Sequence, residues 1–206
     1  MSDFRIPPEE NGAPSEAQTP SKDTNQKPGF SADLFAWLQA LTIALLVLIV
    51  VFTFFGRIIG VDGFSMESTL DDNDMLLLQC IAYEPKQGDI VVLHKNFGEV
   101  TSPIVKRVIA VGGQTVEIDY PTSTVYVDGQ PVDEPYINEA MLPPGSPYMQ
   151  RTYWEVPEGS VFVMGDNRNA SSDSRDDRLG CVDTRYVLGR ALYVILPFQH
   201  FGSIAQ

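Results

Sequence analysis

The sequence predicts a mainly β protein that carries one N-terminal transmembrane helix, and three observations predict it. An apolar run from Leu34 to Phe55 holds no charged residue in 22 positions. After it, short apolar stretches recur between turn signals rich in Gly, Pro, Asn and Asp. Few windows there longer than about ten residues show helical periodicity, and no internal repeat is visible.

Residues 1–33 read as a disordered tail. The stretch "PPEENGAPSEAQTPSKDTNQKPG" is rich in Pro, Glu, Ser, Gln and Gly. It cannot bury enough apolar surface to offset chain entropy, so a solvated leader is expected there.

Residues 34–56 read as the transmembrane helix. Gln39, Thr42 and Thr53 are the only markedly polar interruptions of the run. At about 1.5 Å rise per residue it spans the roughly 30 Å hydrocarbon core. A cleavable signal peptide would need a short basic start, a shorter apolar core and a small-residue cleavage site. The segment ahead of the run is too long for that, and Gly56-Arg57-Ile58-Ile59 offers no A-x-A-like pattern. Lys22 and Lys27 before the helix outweigh Arg57 after it, which places the N-terminus in the cytoplasm. The expected localisation is therefore the cell membrane, single-pass, with the domain of residues 57–206 on the extracytoplasmic side.

That domain reads as strands. The candidates are "DMLLLQCIAY", "GDIVVLH", "SPIVKRVIAVGG", "TVEIDY", "STVYVDGQPV", "GSVFVMGDN" and "LGRALYVILP". Asp128-Gly129 supplies the positive φ values of a two-residue hairpin turn. The segment "EPYINEAMLPPGSPYMQRTYWEVPEG" reads as a long, Pro-rich excursion.

Charge and composition exclude several functions. The formal net charge of −13 and the lack of any Lys/Arg block argue against a nucleic-acid partner. The two cysteines, Cys80 and Cys181, allow a disulfide, but spacing alone does not bring their Cα atoms together. No CxxC or His/Cys cluster suggests a metal, and His94 and His200 are the only imidazoles.

Chemistry enters at "GFSMESTL", where Ser65 sits in a turn-like stretch after Gly63. Serine is a weak nucleophile without a base. A Ser-His-Asp triad would need His94, at a strand end beside Lys95, or His200, in the aromatic tail; both are poor candidates. Lysine is the other option, because burial lowers its pKa. In "SPIVKRVIAVGG" strand alternation puts Lys106 on the face of Ile104 and Val108, opposite Val105 and Arg107. The alternative there is an amphipathic strand edge with a snorkelling stem. A third segment, "GDNRNASSDSRDDRLG", crowds Asp166, Asn167, Arg168, Ser171, Ser172, Asp173, Ser174 and Arg175 into one loop; it reads either as a solvated Asx-turn cluster or as a rigid scaffold for a site.

In this order, "SMESTL", "GDIVVL", "VKRVIAVGG" and "GDNRNASSDSR" resemble the boxes of bacterial signal peptidase I, the membrane-anchored Ser/Lys leader peptidase. The likeness spans the anchor and nearly all of the rest, except the tail and residues 131–158. It implies a large, mostly antiparallel β catalytic domain and no cofactor or metal. It implies that Ser65 attacks the scissile carbonyl, that neutral Lys106 takes its proton and that Ser171 orients the lysine. Asp166 and Arg175 match a bracing charge pair, with Asp173 and Ser174 in the same loop. Met66, Ile104 and Val105 match walls of shallow pockets that favour Ala-x-Ala. The implied partners are signal-peptide-bearing pre-proteins and membrane lipid; the sequence carries no signal for oligomeric state.

Two departures stand out. Ser68 occupies a position that is usually proline, which removes a fixed φ from the turn carrying Ser65. Gly63 stands where some members have a serine that helps hold the oxyanion, so the hole would lean on the Ser65 N–H with another backbone donor. Two rival readings remain at this stage. A self-cleaving repressor shares the Ser/Lys chemistry but is soluble and carries a DNA-binding segment, which is not seen here. A membrane-tethered β module with a decayed site would make Ser68 the telling change.

Overall fold

The computed structural model describes residues 30–54 and 57–204. Most of the expected tail, together with Phe55, Gly56 and the last two residues, lies outside the described residues.

Helix α1 spans Phe30–Phe54. Asp33 in its first turn complements the positive end of the helix dipole. From Asp33 to Val50 its side chains are exposed and apolar enough over 18 residues to cross a membrane. The hydroxyl of Thr42 donates to the Leu38 carbonyl at 2.8 Å, so this interruption satisfies itself within the helix.

The remainder is antiparallel β. Strands β1 (Arg57–Gly60), β2 (Met75–Gln79), β3 (Ile90–Leu93), β4 (Ile104–Val111), β5 (Thr115–Asp119) and β6 (Thr124–Val127) come first. They are followed by β7 (Gln130–Pro131), β8 (Tyr153–Glu155), β9 (Ser160–Met164), β10 (Val182–Asp183), β11 (Val187–Leu196) and β12 (Gly202–Ser203). The larger sheet has the order β1-β2-β11-β3-β4-β9-β10, with β12 against β11; the smaller has the order β7-β6-β5-β8.

The sequence pattern accounts for the places these strands take. β3, "IVVL", is apolar throughout and buried at every position, as an interior strand must be. β2 and β5 instead alternate buried and half-exposed positions. Asp128 and Gly129 take φ of 51° and 75°, and β6 and β7 pair around them as the expected hairpin. The Pro-rich excursion is not strandless: Tyr153–Glu155 form β8, whose buried Trp154 pairs with Val116. Proline density hid this short strand, and one buried aromatic ring anchors it.

The core falls into clusters that define the two faces of β4. Val105 packs with Val61, Met66, Leu70, Leu76 and Ile90. Val108, with Ile104 against it, packs with Val91, Leu93 and Val163. Farther along β4, Ile109 and Ala110 join Trp154 and Phe162, which tie the smaller sheet to the larger. The two cysteines are free thiols, so no disulfide contributes.

Candidate active site

The loop between β1 and β2 carries Ser65. Its base is closed by Val61 N–H to Asp74 O at 2.7 Å and Asn73 N–H to Val61 O at 3.0 Å. Within it, the Thr69 and Leu70 N–H groups donate to the Met66 carbonyl at 2.8 and 2.9 Å, making one tight turn. Met66 and Leu70, each 1% exposed, pin that turn to the core beneath. Burying two such side chains contributes about 1.5–3 kcal/mol each, which fixes the turn without a proline at Ser68. The Ser68 hydroxyl instead reaches toward the Tyr136 carbonyl at 3.4 Å.

β4 brings Lys106 to this turn. Its Nζ lies 2.6 Å from Ser65 Oγ and donates to the Val105 carbonyl at 2.9 Å. Lys106 is 2% exposed. Burial pushes its pKa down to about 8; the carboxylates of Asp173 and Asp166 oppose that shift and Arg175 adds to it. A neutral amine at hydrogen-bond distance from a hydroxyl can take its proton, which is what an activated serine requires. No imidazole competes for this place among the described residues: His94 meets the Thr101 carbonyl, and His200 meets Asp74.

The loop 165–175 forms the other wall. Asn167 N–H holds the Ser65 carbonyl at 3.1 Å. Gly165 passes so close that a Cβ there would overlap both the Ser65 carbonyl and Ser171 Oγ. Ser171 is thus brought against Gly165, with its Oγ buried beside the Asp173 carboxylate. Ser174 Oγ accepts from Val163 N–H at 3.0 Å and ties the loop back to β9.

Asp166 and Arg175, expected as partners, each take another one. Asp166 accepts two bonds from Arg107, at 2.8 and 2.7 Å, and a third from Thr69 Oγ1 at 2.5 Å. Arg175 grips Asp173 through Nε and Nη2, each at 2.8 Å. The physical reason is strand direction: Arg107 points to the face of β4 opposite Lys106, where it meets Asp166, and Asp173 is only two residues from Arg175. Burial raises the Asp173 pKa, but Arg175 and the Gly165 N–H outweigh it and hold this carboxyl below the usual range.

At the corner expected to hold the oxyanion, Gly63 takes φ of 97° and donates its N–H to Asp72 Oδ1 at 2.8 Å. The Ser65 N–H has no partner among the described residues. Of the expected pocket walls, Met66 and Val105 share one cluster, whereas Ile104 packs on the other face of β4.

Residues 34–196 match the family described as signal peptidase, peptidase S26. The chain belongs to this signal peptidase family. It is 36% identical over 188 residues to signal peptidase I of Bacillus licheniformis, covering 88% of this chain and 96% of that one. It is 31% identical over 184 residues to signal peptidase IB of Staphylococcus aureus, covering 82% and 93%. A crystal structure of a signal peptidase I from Enterococcus faecalis is 30% identical, with a TM-score of 0.40, and covers 52% of this chain and 97% of that one.

Several residues of this candidate site in the signal peptidase chain escaped sequence reasoning. Arg107 looked like an edge residue beside Lys106, yet it is 1% exposed. Thr69 and Gly165 also build the site, and nothing in their local sequence marked them; Asn167 and Arg168 were visible only as members of the polar loop "GDNRNASSDSR", without their partners.

Proposed function

We propose that this chain is a membrane-anchored serine endopeptidase that removes signal peptides from exported pre-proteins with Ser65 and Lys106 as its dyad. The observation that carries the reading is the 2.6 Å approach of Lys106 Nζ to Ser65 Oγ at a lysine whose pKa is pushed down to about 8. Neutral Lys106 takes the hydroxyl proton as Ser65 Oγ adds to the scissile carbonyl, and the ammonium returns it to the leaving amine. Water, deprotonated by the same amine, then hydrolyses the acyl-enzyme. The unpartnered Ser65 N–H is placed to receive the oxyanion. By the family likeness Ser171 orients the amine, and the pairs Asp166–Arg107 and Asp173–Arg175 hold the walls.

The substrate lies as an extended strand beside the site. Cleavage after Ala-x-Ala-like sequences follows from the family likeness alone, since Met66 and Val105, the matching wall residues, are buried in the core here. α1 is the anchor, residues 1–33 lie in the cytoplasm and the domain from residue 57 lies outside, on the balance of Lys22 and Lys27 against Arg57. The test is incubation of detergent-solubilised protein with a labelled pre-protein beside the Ser65→Ala variant. Cleavage by the wild type alone is expected; equal cleavage by Ser65→Ala overturns the assignment.

A further inference from the structure

We infer that Glu134 and Tyr136, which follow β7 of the smaller sheet, are positioning residues that lock the nucleophile turn to the loop 165–175. The inference rests on the Ser65–Lys106 reading. The segment that carries them lies in the stretch where the sequence offered no chemistry.

Glu134 acts through Arg168. That arginine is 2% exposed. Its Nη1 and Nη2 donate to the two Glu134 carboxylate oxygens at 2.9 and 2.5 Å, and its Nε donates to the Gly165 carbonyl at 3.1 Å. Arg168 Nη2 and Glu134 Oε1 form an ion pair with side chains 1% and 5% exposed. Two residues beyond Gly165, the Asn167 N–H fixes the Ser65 carbonyl. Glu134 therefore sets the fork of Arg168, Arg168 sets Gly165, and the loop sets the peptide plane of the nucleophile.

Tyr136 acts through Arg107. Its ring lies under the Arg107 guanidinium at 3.8 Å from the centroid, and its hydroxyl donates to Glu134 Oε1 at 3.0 Å. Arg107 clamps Asp166, and Asp166 accepts from Thr69 in the nucleophile turn. The Tyr136 carbonyl faces the Ser68 hydroxyl of the same turn. One short segment thus touches both walls of the site, through two buried guanidinium groups that also bind Asp166 and the Gly165 carbonyl. A ring over a desolvated guanidinium attracts it through the ring quadrupole and so favours one arrangement of the fork.

The test measures kcat and KM separately, with purified full-length enzyme in detergent and a labelled pre-protein, normalised to folded protein by circular dichroism. Glu134→Gln is expected to lower kcat about 10- to 100-fold with KM within about twofold, because the displaced donor acts on the transition state. Tyr136→Leu lowers kcat about tenfold, and Tyr136→Phe, which keeps the ring, no more than about threefold. Asp133→Asn, an exposed charge change in the same segment, leaves kcat unchanged. Glu134→Gln and Tyr136→Leu both keeping kcat within about twofold of wild type overturns the inference. So does a fall in kcat that vanishes on normalisation to folded protein. Ser65→Ala in the same assay separates the failures: if it still cleaves, the dyad reading falls; if it is dead while Glu134→Gln is unimpaired, only this inference falls.

Discussion

Lys106 Nζ lies 2.6 Å from Ser65 Oγ, although the two residues are 41 positions apart in the chain. The contact joins a loop outside the strands to the middle of β4, which both a tightly pinned turn and an inflexible strand make precise. Keeping the amine neutral has a cost. The drop from 10.5 to about 8 corresponds to roughly 3 kcal/mol, at 1.36 kcal/mol per pKa unit.

That cost yields a stability prediction. Between about pH 8 and 10.5 the unfolded chain holds a proton on Lys106 that the native state lacks, so this residue makes stability rise with pH across that window. Lys106→Met is expected to abolish cleavage yet stabilise the fold by about 1–3 kcal/mol at pH 7, with the gain fading toward pH 10.5. Denaturant unfolding at the two pH values checks this, and a destabilised variant at pH 7 refutes it.

Gly165 is the tightest approach in the site, because a Cβ there meets the Ser65 carbonyl and Ser171 Oγ. Gly165→Ala forces the loop away from Ser65. A destabilisation of about 1–3 kcal/mol and a fall in kcat of at least about 100-fold are expected. Unchanged kcat would show that the loop does not have to sit against Ser65.

Asp166 and Arg107 are 0% and 2% exposed in their side chains. Asp166→Leu leaves a buried guanidinium unpaired and is expected to destabilise by about 3–5 kcal/mol. Adding Arg107→Met should recover much of that loss, because the remaining cost of the pair is desolvation. Thermal unfolding of the single and double variants measures it, and additive losses contradict the pairing.

Much of this was legible in the sequence, and for physical reasons. α1 announced itself by an uninterrupted apolar run, β3 by "IVVL", and the β6–β7 hairpin by Asp128-Gly129. Lys106 stood out as a charge inside an apolar strand. Partner choice was not legible: Asp166 and Arg175 are close in sequence, but strand alternation carries Arg107 to the first and leaves Asp173 to the second. Nor was the contribution of Glu134 and Tyr136, because their contacts are made 34 residues away, to Arg168, and across to β4. Spacing cannot report such distant contacts.

His200 pins the C-terminal segment to the loop that carries Ser65. Its Nδ1 is 2.9 Å from Asp74 Oδ1, and its Nε2 is 3.4 Å from Asp71 Oδ2. The hydrogen bond with Asp74 raises its pKa above the ordinary 6.5. A raised folded-state pKa gives stability that is present below the unfolded value and lost as pH rises through the folded one. The difference in Tm between wild type and His200→Ala is therefore expected to be larger near about pH 5.5 than near about pH 8.5. An equal difference at both would mean that the imidazolium adds nothing.

The pH dependence of kcat/KM for pre-protein cleavage tests the central claim most directly. If Lys106 must be neutral to accept the Ser65 proton, activity rises with pH along a single acidic limb near its pKa of about 8, and the optimum is alkaline. A rate that is flat from about pH 6 to 9 with chemistry rate-limiting contradicts the claim, as does an acidic limb that disappears in His94→Gln.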